Sequence, residues 1–523
     1  MLKKLTIMSS AILSACMVGP NYHEPTKKIE THWLQTSPSK HSSVTEEAIR
    51  EAKWWELFHD PTLTCLIQQG YQNNLSLMSA GVRVLQARAQ LAQAVGQLYP
   101  QQQAMVGNIT HQRIGGGELN SILPSSFDMA SLGFSASWEL DFWGKYRRAI
   151  LSQDATFLAS LAAYDNALVT LMADIGNAYI NIRTTEELIR VTKENIFIQK
   201  DSLRIARSRY NAGEVGLLDV QQAQTELSRT EASLPTYIAD LQKQKDILGV
   251  LLGTVPNDIT FQLAKNKSYG IPKPPKQLEI GIPKEALGRR PDIHQARLEA
   301  IAQSEAIGAV KANLFPSLSL TGTFAFSSTN IGNSSLSDMF NWSNRTGSIG
   351  SSLTWPLFNY GQITNAVRAQ DAVFQQALLK YVNLVLQAQQ EVQDNITGYI
   401  EAKKSAQFLT QANTAAKEST RLAIIRYREG ETDFTTVIDV ERQQLQVQTE
   451  LTKARGEISR FMIALYRSLG GGWQIRGPND VVPGQIKAEM AARTDWGNLL
   501  VKQNHLPPAT NSDLLKELFI PNW

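Results

Sequence analysis

Residues 362–427 read QITNAVRAQDAVFQQALLKYVNLVLQAQQEVQDNITGYIEAKKSAQFLTQANTAAKESTRLAIIRY, a stretch without a single proline. Val367, Val373, Phe374, Ala377, Leu378, Tyr381, Val385, Ala388, Val392 and Ile396 recur at spacings of three and four, the period of one helix face. At 1.5 Å per residue this helix would be about 100 Å long, and so sustained a pattern calls for coiled-coil packing against neighbours. Residues 145–210 form a second proline-free stretch of the same length. Gly213 and Gly430 follow the two stretches and are placed to end each helix in a left-handed turn.

The two stretches belong to an internal duplication. Leu98-Tyr99-Pro100 returns as Leu314-Phe315-Pro316; Trp138 with Gly144-Lys145 returns as Trp355 with Gly361-Gln362; Tyr210-Asn211-Ala212-Gly213-Glu214 returns as Tyr427-Arg428-Glu429-Gly430-Glu431. Each copy has the same order: a leading helix ending at the aromatic-Pro pair, two strands, the long helix, and a shorter returning helix. In the second copy Leu318, Leu320, Gly322, Phe324 and Phe326 alternate with polar or small residues, as do Ile349, Leu353, Trp355 and Leu357. In the first copy Leu132 to Leu140 alternates clearly, and Gln103 to His111 less so. The returning helices run from Leu217 to Leu252, where Pro235 should introduce a kink, and from Thr436 to Leu469. A leading and a returning helix stacked end to end nearly match one long helix, which places the Pro-rich stretch from Pro256 to Pro283 about halfway along the rod.

The resulting division is residues 1–15 as a signal peptide, 16–53 as a lipidated N-terminal segment, 54–252 as repeat one, 253–289 as an equatorial connector, 290–473 as repeat two, and 474–523 as a C-terminal equatorial segment and tail. Lys3 and Lys4, an apolar stretch from Leu5 to Leu13, and Leu13-Ser14-Ala15-Cys16 compose the signal. Its end resembles the lipobox of bacterial lipoproteins. In that class the cysteine, here Cys16, carries a covalent diacylglycerol and N-acyl lipid, and Met17 in the next position suits sorting to the outer membrane. Cys65, the one other cysteine, cannot form an intramolecular disulfide in the mature chain, and its apolar surroundings predict a buried core thiol.

With 51 basic and 48 acidic residues the chain offers no global field for nucleic acid. No uninterrupted apolar run after residue 16 is long enough for a membrane-spanning helix, so any crossing must use strands. Each of the four strands is about long enough to cross a hydrocarbon layer at a tilt, but four cannot close a barrel. Unpaired edges are too costly in lipid, so the chain must oligomerise, and its helices would continue the barrel wall as a tube. The fold class is therefore mainly α with transmembrane β: duplicated long helical hairpins plus four strands per protomer.

Several short motifs in order also resemble the TolC-like outer membrane factors, specifically NodT-type efflux lipoproteins. They are Val18-Gly19-Pro20-Asn21-Tyr22, Trp54-Trp55-Glu56-Leu57-Phe58-His59-Asp60-Pro61 with Leu63, Arg290-Pro291-Asp292-Ile293, Phe315-Pro316-Ser317, and Leu469-Gly470-Gly471-Gly472-Trp473. The resemblance spans about residues 16–473. It implies a homotrimer with a twelve-stranded barrel in the outer membrane, continued by an α-helical periplasmic tunnel. It further implies the exit duct of a tripartite efflux pump for small molecules or drugs, with a periplasmic adaptor and an inner-membrane transporter of RND type. The family's tip constriction maps onto Arg426, Tyr427 and Asp439, with Arg209, Tyr210 and Asp219 as repeat-one counterparts. The longer spacing from Gly430 to Asp439 than from Gly213 to Asp219 places the constriction in repeat two, and Thr435 stands where many relatives carry a bulky apolar residue. The tyrosines equally suit seam packing, and the aspartates capping or surface ion pairs.

Gly115-Gly116-Gly117 reads as a loop between strands, and His23, His32 and His41 as surface residues. No nucleophile with base and orienter, and no metal signature, stands out, so an enzyme has no support. Two rivals remain: a duct for protein secretion, and a lipid-anchored periplasmic coiled-coil scaffold.

Overall fold

The computed structural model describes residues 17–26, 28–34, 44–45, 53–115, 124–255, 270–275, 277–332 and 334–501. Cys16, the signal peptide, His41, Gly116, Gly117, much of the Pro256–Pro283 connector and the tail beyond residue 501 lie outside the described residues.

The N-terminal segment carries a two-residue strand, β1 (Val44–Thr45). Repeat one then comprises α1 (Pro61–Asn73), α2 (Leu75–Gly96), β2 (Gln102–Arg113), β3 (Ser126–Leu140), α3 (Lys145–Asn211) and α4 (Leu217–Leu252). The connector holds β4 (Leu278–Glu279), which pairs in parallel with β1. After α5 (Pro283–Gly288), still within the connector, repeat two follows as α6 (Pro291–Lys311), β5 (Ser317–Thr329), β6 (Arg345–Thr354), α7 (Gln362–Arg428) and α8 (Phe434–Ser468). A last helix, α9, spans Gly484–Arg493.

α3 and α7 are each 67 residues long, about 100 Å of unbroken helix. Each starts after a glycine with positive φ, Gly144 or Gly361, which turns the chain sharply out of the preceding strand. α4 continues through Pro235, whose missing N–H leaves one carbonyl of the previous turn without its helical donor. α3 packs along α4, α6 and α8, and α7 along α8 and α6, so the row of α6 and α8 lies between the two long helices.

By length and apolarity alone, α3 contains a stretch able to cross a membrane, contrary to the expectation from the sequence. Leu168, Met172, Ile175, Tyr179 and Ile182 of this helix are instead buried in the main core. A helix wrapped on several sides by neighbours must be apolar around most of its circumference, which mimics a membrane span.

That core lies at mid-height. Trp54 and Trp55, both 1% exposed, meet edge to face with centroids 5.7 Å apart. Asp60 caps α1 through Thr62 N at 2.8 Å, and its other carboxylate oxygen accepts from the Tyr179 phenol at 2.8 Å. The Arg290 guanidinium ties Asp292 (2.7 Å) and Glu391 (2.9 Å) to the carbonyl of Ser468 (2.7 Å). The Arg-Pro-Asp and Leu-Gly-Gly-Gly-Trp motifs thus meet in space, with Trp473 Nε1 donating to Arg289 O at 3.3 Å. Residues 474–501 fold onto the same belt: Arg476 pairs with Asp165 at 2.7 Å, Val481 and Val482 are buried, and Arg88 bonds the carbonyls of Leu499 and Val501. Cys65 is exposed rather than buried. Leu63, Leu66, Ile67 and Gly70 occupy the inward face of α1, and helical periodicity turns Cys65 away from it.

The strands form one antiparallel sheet in the order β2-β3-β5-β6. Its register brings Met105, Phe134, Phe324 and Gly347 into one row, and Gln103, Ala136, Gly322 and Ile349 into the next row of that face. Leu132, Trp138, Leu140, Leu318, Leu320, Phe326 and Leu353 share this face, because rows two residues apart point the same way. The opposite face carries Asn108, Thr110, Ser131, Ser135, Ser137, Ser319, Thr321, Thr323, Ser348 and Ser352. One side of the sheet is apolar and the other polar, yet neither is covered: every residue of β2 and β6 is exposed.

Candidate functional site

The chain has two ends at which function can reside, the sheet and the far tip where each long helix turns back. At the sheet, aromatic rings gather at both ends of the apolar face. Trp143 stacks on Phe315 at 4.8 Å on the helix side, near the exposed Trp355, Phe358 and Tyr360. Phe326 contacts Phe340 and Trp342 at the other end, with centroids 6.2 and 6.3 Å apart. From Phe315 to Phe326 the strand rises about 35 Å, which at a 35–45° tilt matches an apolar band about 25 Å tall between two aromatic girdles. The repeat symmetry is kept in detail: Trp138 Nε1 donates to Leu98 O at 3.0 Å and Trp355 Nε1 to Leu314 O at 3.2 Å.

The N-terminal segment is pinned to this same level. Val18 N donates to Trp143 O at 3.0 Å, Gly19 lies against Gly308, and the Asn21 side chain accepts from Arg148, which also pairs with Glu305 at 2.6 Å. Farther along, Tyr381 donates to Glu24 at 2.9 Å, and Gln389 and Gln393 accept from the backbone N–H groups of Glu30 and Leu34. Residues 17–26 and 28–34 run as a strap from the strand–helix junction to the mid-height belt, where Trp33 is buried. His23 and His32 are exposed along it.

At the tip both long helices close with the same six-residue motif. Gly213 N donates to Tyr210 O (2.9 Å) and Glu214 N to Arg209 O (3.0 Å); Gly430 N donates to Tyr427 O (3.1 Å) and Glu431 N to Arg426 O (2.8 Å). φ is +77° at Gly213 and +81° at Gly430, a conformation that costs other residues about 1 kcal/mol or more. Asp433 then caps α8, accepting from Thr436 N at 2.9 Å, whereas α4 opens on the uncapped Gly216.

Equivalent residues nevertheless have different fates. Tyr427 is 2% exposed and Phe434 1%, while their counterparts Tyr210 and Leu217 are 42% and 51% exposed. Tyr427 packs against Phe434 with centroids 5.0 Å apart, inside a cluster with Ala206, Ala223, Leu227, Val437 and Ile438. Its phenol donates to Asp219 Oδ2 at 2.9 Å. The Arg209 guanidinium lies 4.8 Å above its ring, bonds its carbonyl, and pairs with Glu214 at 3.0 Å. Burial raises the Tyr427 pKa above its ordinary value and the Asp219 carboxylate adds to the rise, so the phenol stays a neutral donor at physiological pH.

The expected grouping of Arg426, Tyr427 and Asp439 is therefore redrawn. Tyr427 reaches across to Asp219 and Arg209 of the other repeat, and no hydrogen bond or ion pair joins it to Asp439 among the described residues. Arg426, Thr435 and Asp439 of the second hairpin and Tyr210 of the first are exposed in the single protomer. Helical phase is the reason: Tyr427 shares a face with Ala423 and Thr420 toward the seam, and Arg426 does not. Arg209 is the participant that sequence reasoning left in the background. Its position beside the turn glycine was legible, but its reach to the other repeat was not.

A sheet with one apolar and one polar exposed face, continued by a helical rod about 100 Å long, is the combination that decides the assignment. A family model described as "Outer membrane efflux protein" matches residues 66–254 and 282–471. The chain belongs to that family. It is 29% identical over 475 residues to the probable efflux pump outer membrane protein TtgC of Pseudomonas putida, covering 89% of this chain and 94% of that one. It is 25% identical to nodulation protein T of Rhizobium leguminosarum bv. trifolii, covering 89% and 96%. Among solved structures, the outer-membrane channel OprN superposes with a TM-score of 0.81 at 30% identity, over 88% of this chain and 100% of OprN. The CmeC outer membrane channel of Campylobacter jejuni shares the fold, with a TM-score of 0.77 at 22% identity over 90% and 100%. This outer-membrane efflux protein accordingly places its sheet in the outer membrane and its long helices in the periplasm.

Proposed function

We propose that this protein is the exit duct of a tripartite efflux pump, working as a homotrimer with a gate at its helical tip. The observation that carries the reading is the sheet. Its edges, β2 and β6, have unpaired backbone groups that hydrocarbon does not tolerate. Three copies joined β6 to β2 close a twelve-stranded barrel with Phe134, Phe324 and Ile349 toward lipid and Ser135, Thr323 and Ser348 toward the lumen. Residues on the polar face then wet a pore that the helices continue.

At the tip, Tyr427, Asp219 and Arg209 hold the two hairpins of one protomer together. A hydrogen bond to a charged group contributes about 1.5–3 kcal/mol and a cation–π contact about 0.5–2 kcal/mol, enough to bias a closed state yet open to an opposing partner. Arg426, Thr435 and Asp439, exposed in one protomer, are placed to act between protomers. A periplasmic adaptor that engages the tip supplies the opposing free energy, and an inner-membrane transporter of RND type delivers the cargo. Cargo of small organic molecules is supported by relatives named for toluene, solvent and antibiotic efflux, rather than for protein secretion.

Cys16 carries the lipid in this reading. Its support is positional: Met17 packs against Gly144 and Val18 bonds Trp143, so the first described residues lie beside the helix-side aromatic girdle, the level at which acyl chains enter the membrane. The test is reconstitution. The purified protein should run as a heat-sensitive trimer, form conducting channels in planar bilayers, and restore organic-toxin resistance to cells lacking it. A stable monomer without conductance would overturn the proposal.

A further inference from the structure

Next to the apolar tip cluster, the seam between the hairpins turns polar. α3 contributes Asn195, Gln199 and Ser202, each 2% exposed; α8 contributes Glu441, Gln444 and Gln448, 3–5% exposed. Asn195 bonds Gln448 and Gln444 across the seam, and the Ser202 hydroxyl donates to Glu441 Oε1. Gln199 sits between these rungs, and among the described residues neither atom of its amide has a hydrogen-bond partner. The seam here is less completely satisfied than the tip beyond it, so it is the place where the hairpins can part at least cost.

Glu441 is the one carboxylate directly on a rung. From α4 it faces Glu226, itself 4% exposed and held by Arg442 of α8 at 2.7 Å. From α3 its partner is the neutral Ser202, with Asp201 and Arg204 paired to each other on the exposed face of that helix. α7 meets this level through Thr420, whose hydroxyl donates to Val440 O at 3.1 Å. Farther along the layer, Lys193 and Glu194 of α3 and Lys417 and Arg421 of α7 line the groove beside Gln444 and Gln448.

We propose that Glu441 is a proton-operated latch between the two hairpins: neutral, it closes the α3–α8 seam, and ionised, it loosens the seam and the tip with it. Burial pushes its carboxyl up to about 7, with Glu226 adding to the rise and the Ser202 hydrogen bond opposing it. A parted seam returns the carboxylate to water and to an ordinary value near 4.5. The closed form therefore binds more protons than the open form between these values. Closure is favoured at low pH, weakens as pH climbs from about 4.5, and reaches its minimum above about 7. Arg442 limits the Glu226 repulsion, so the desolvation of Glu441 is the main driver.

The latch rests on the tip being the closure, so two readouts are needed on the intact trimer. Hydrogen exchange of peptides around residues 195–230 and 420–450 follows the seam, and bilayer current follows opening. Between about pH 5.5 and 8 the native trimer should lose protection in both segments and leak several-fold more current. Glu441→Gln, a neutral mimic, should hold both readouts at their low-pH values throughout. Ser202→Ala removes the donor to the carboxylate and should move the midpoint upward. A Glu441→Gln trimer that titrates like the native one, or an unmoved midpoint in Ser202→Ala, would overturn the latch. A seam that titrates by exchange while current stays flat would uphold the latch and overturn the reading of the tip as the closure.

Discussion

The phenol of Tyr427 donates to the Asp219 carboxylate at 2.9 Å, joining residues 208 positions apart in sequence. The bond crosses from the second hairpin to the first, so it senses hairpin separation directly. Tyr427→Phe keeps the packing against Phe434 and deletes only the donor, leaving a partly exposed carboxylate that water can serve. The expected loss is about 1 kcal/mol of closure, read as a several-fold rise in leak current and greater sensitivity to a large antibiotic. Asp219→Asn should give a comparable leak, and the double variant should add little to either single one. Asp439→Ala, by removing a contact proposed to act between protomers, should raise the leak of a folded trimer by an amount that adds to that of Tyr427→Phe; an unchanged leak would remove Asp439 from the gate.

Phe324 and Thr323 are neighbours on opposite faces of β5. Phe324→Arg puts a charge on the lipid side at a cost of about 2–4 kcal/mol and should sharply reduce trimer in the outer membrane. Thr323→Arg faces the lumen and should assemble normally while lowering cation conductance. Equal assembly defects in both would reverse the assignment of faces.

Gly19 has φ +110°, and a Cβ there would lie 2.5 Å from Gly308 Cα. Gly308→Leu should dislodge the strap near its membrane end, exposing residues 17–34 to protease while the mid-height core stays folded. Retained protease resistance would show that the strap tolerates separation from α6.

Arg290 is 6% exposed and holds Asp292, Glu391 and Ser468 O together. Arg290→Ala strands Asp292, which is largely shielded, and leaves Glu391, which is more than half exposed, to solvent. A destabilisation of about 3 kcal/mol is expected, seen as a lower unfolding temperature and loss of trimer on heating.

Cys16→Ser, exported through a cleavable signal, should retain substantial transport, because a closed barrel anchors the trimer without acyl chains. Complete loss of function at normal trimer abundance would instead make the lipid indispensable.

The sequence by itself determined the duplication, the two long helices and the strands before them. These depend on local rules: a period of three and four, a period of two, and glycines able to take positive φ. The turn glycines Gly213 and Gly430, and the motifs around Trp54, Arg290 and Phe315, were legible for the same reason. Only the tertiary structure decided that Cys65 faces outward, that α3 is apolar because neighbours wrap it, and that Asp165 and Arg88 are the residues that hold the 474–501 segment on the mid-height belt. It alone distinguished Tyr427 from Tyr210 and paired the former with Asp219. Both tyrosines sit in the same local motif, and the period of a helix fixes which residues share a face but not which neighbour that face meets. That choice arises from how the helical rows pack, a relation between residues about two hundred positions apart that no local pattern encodes.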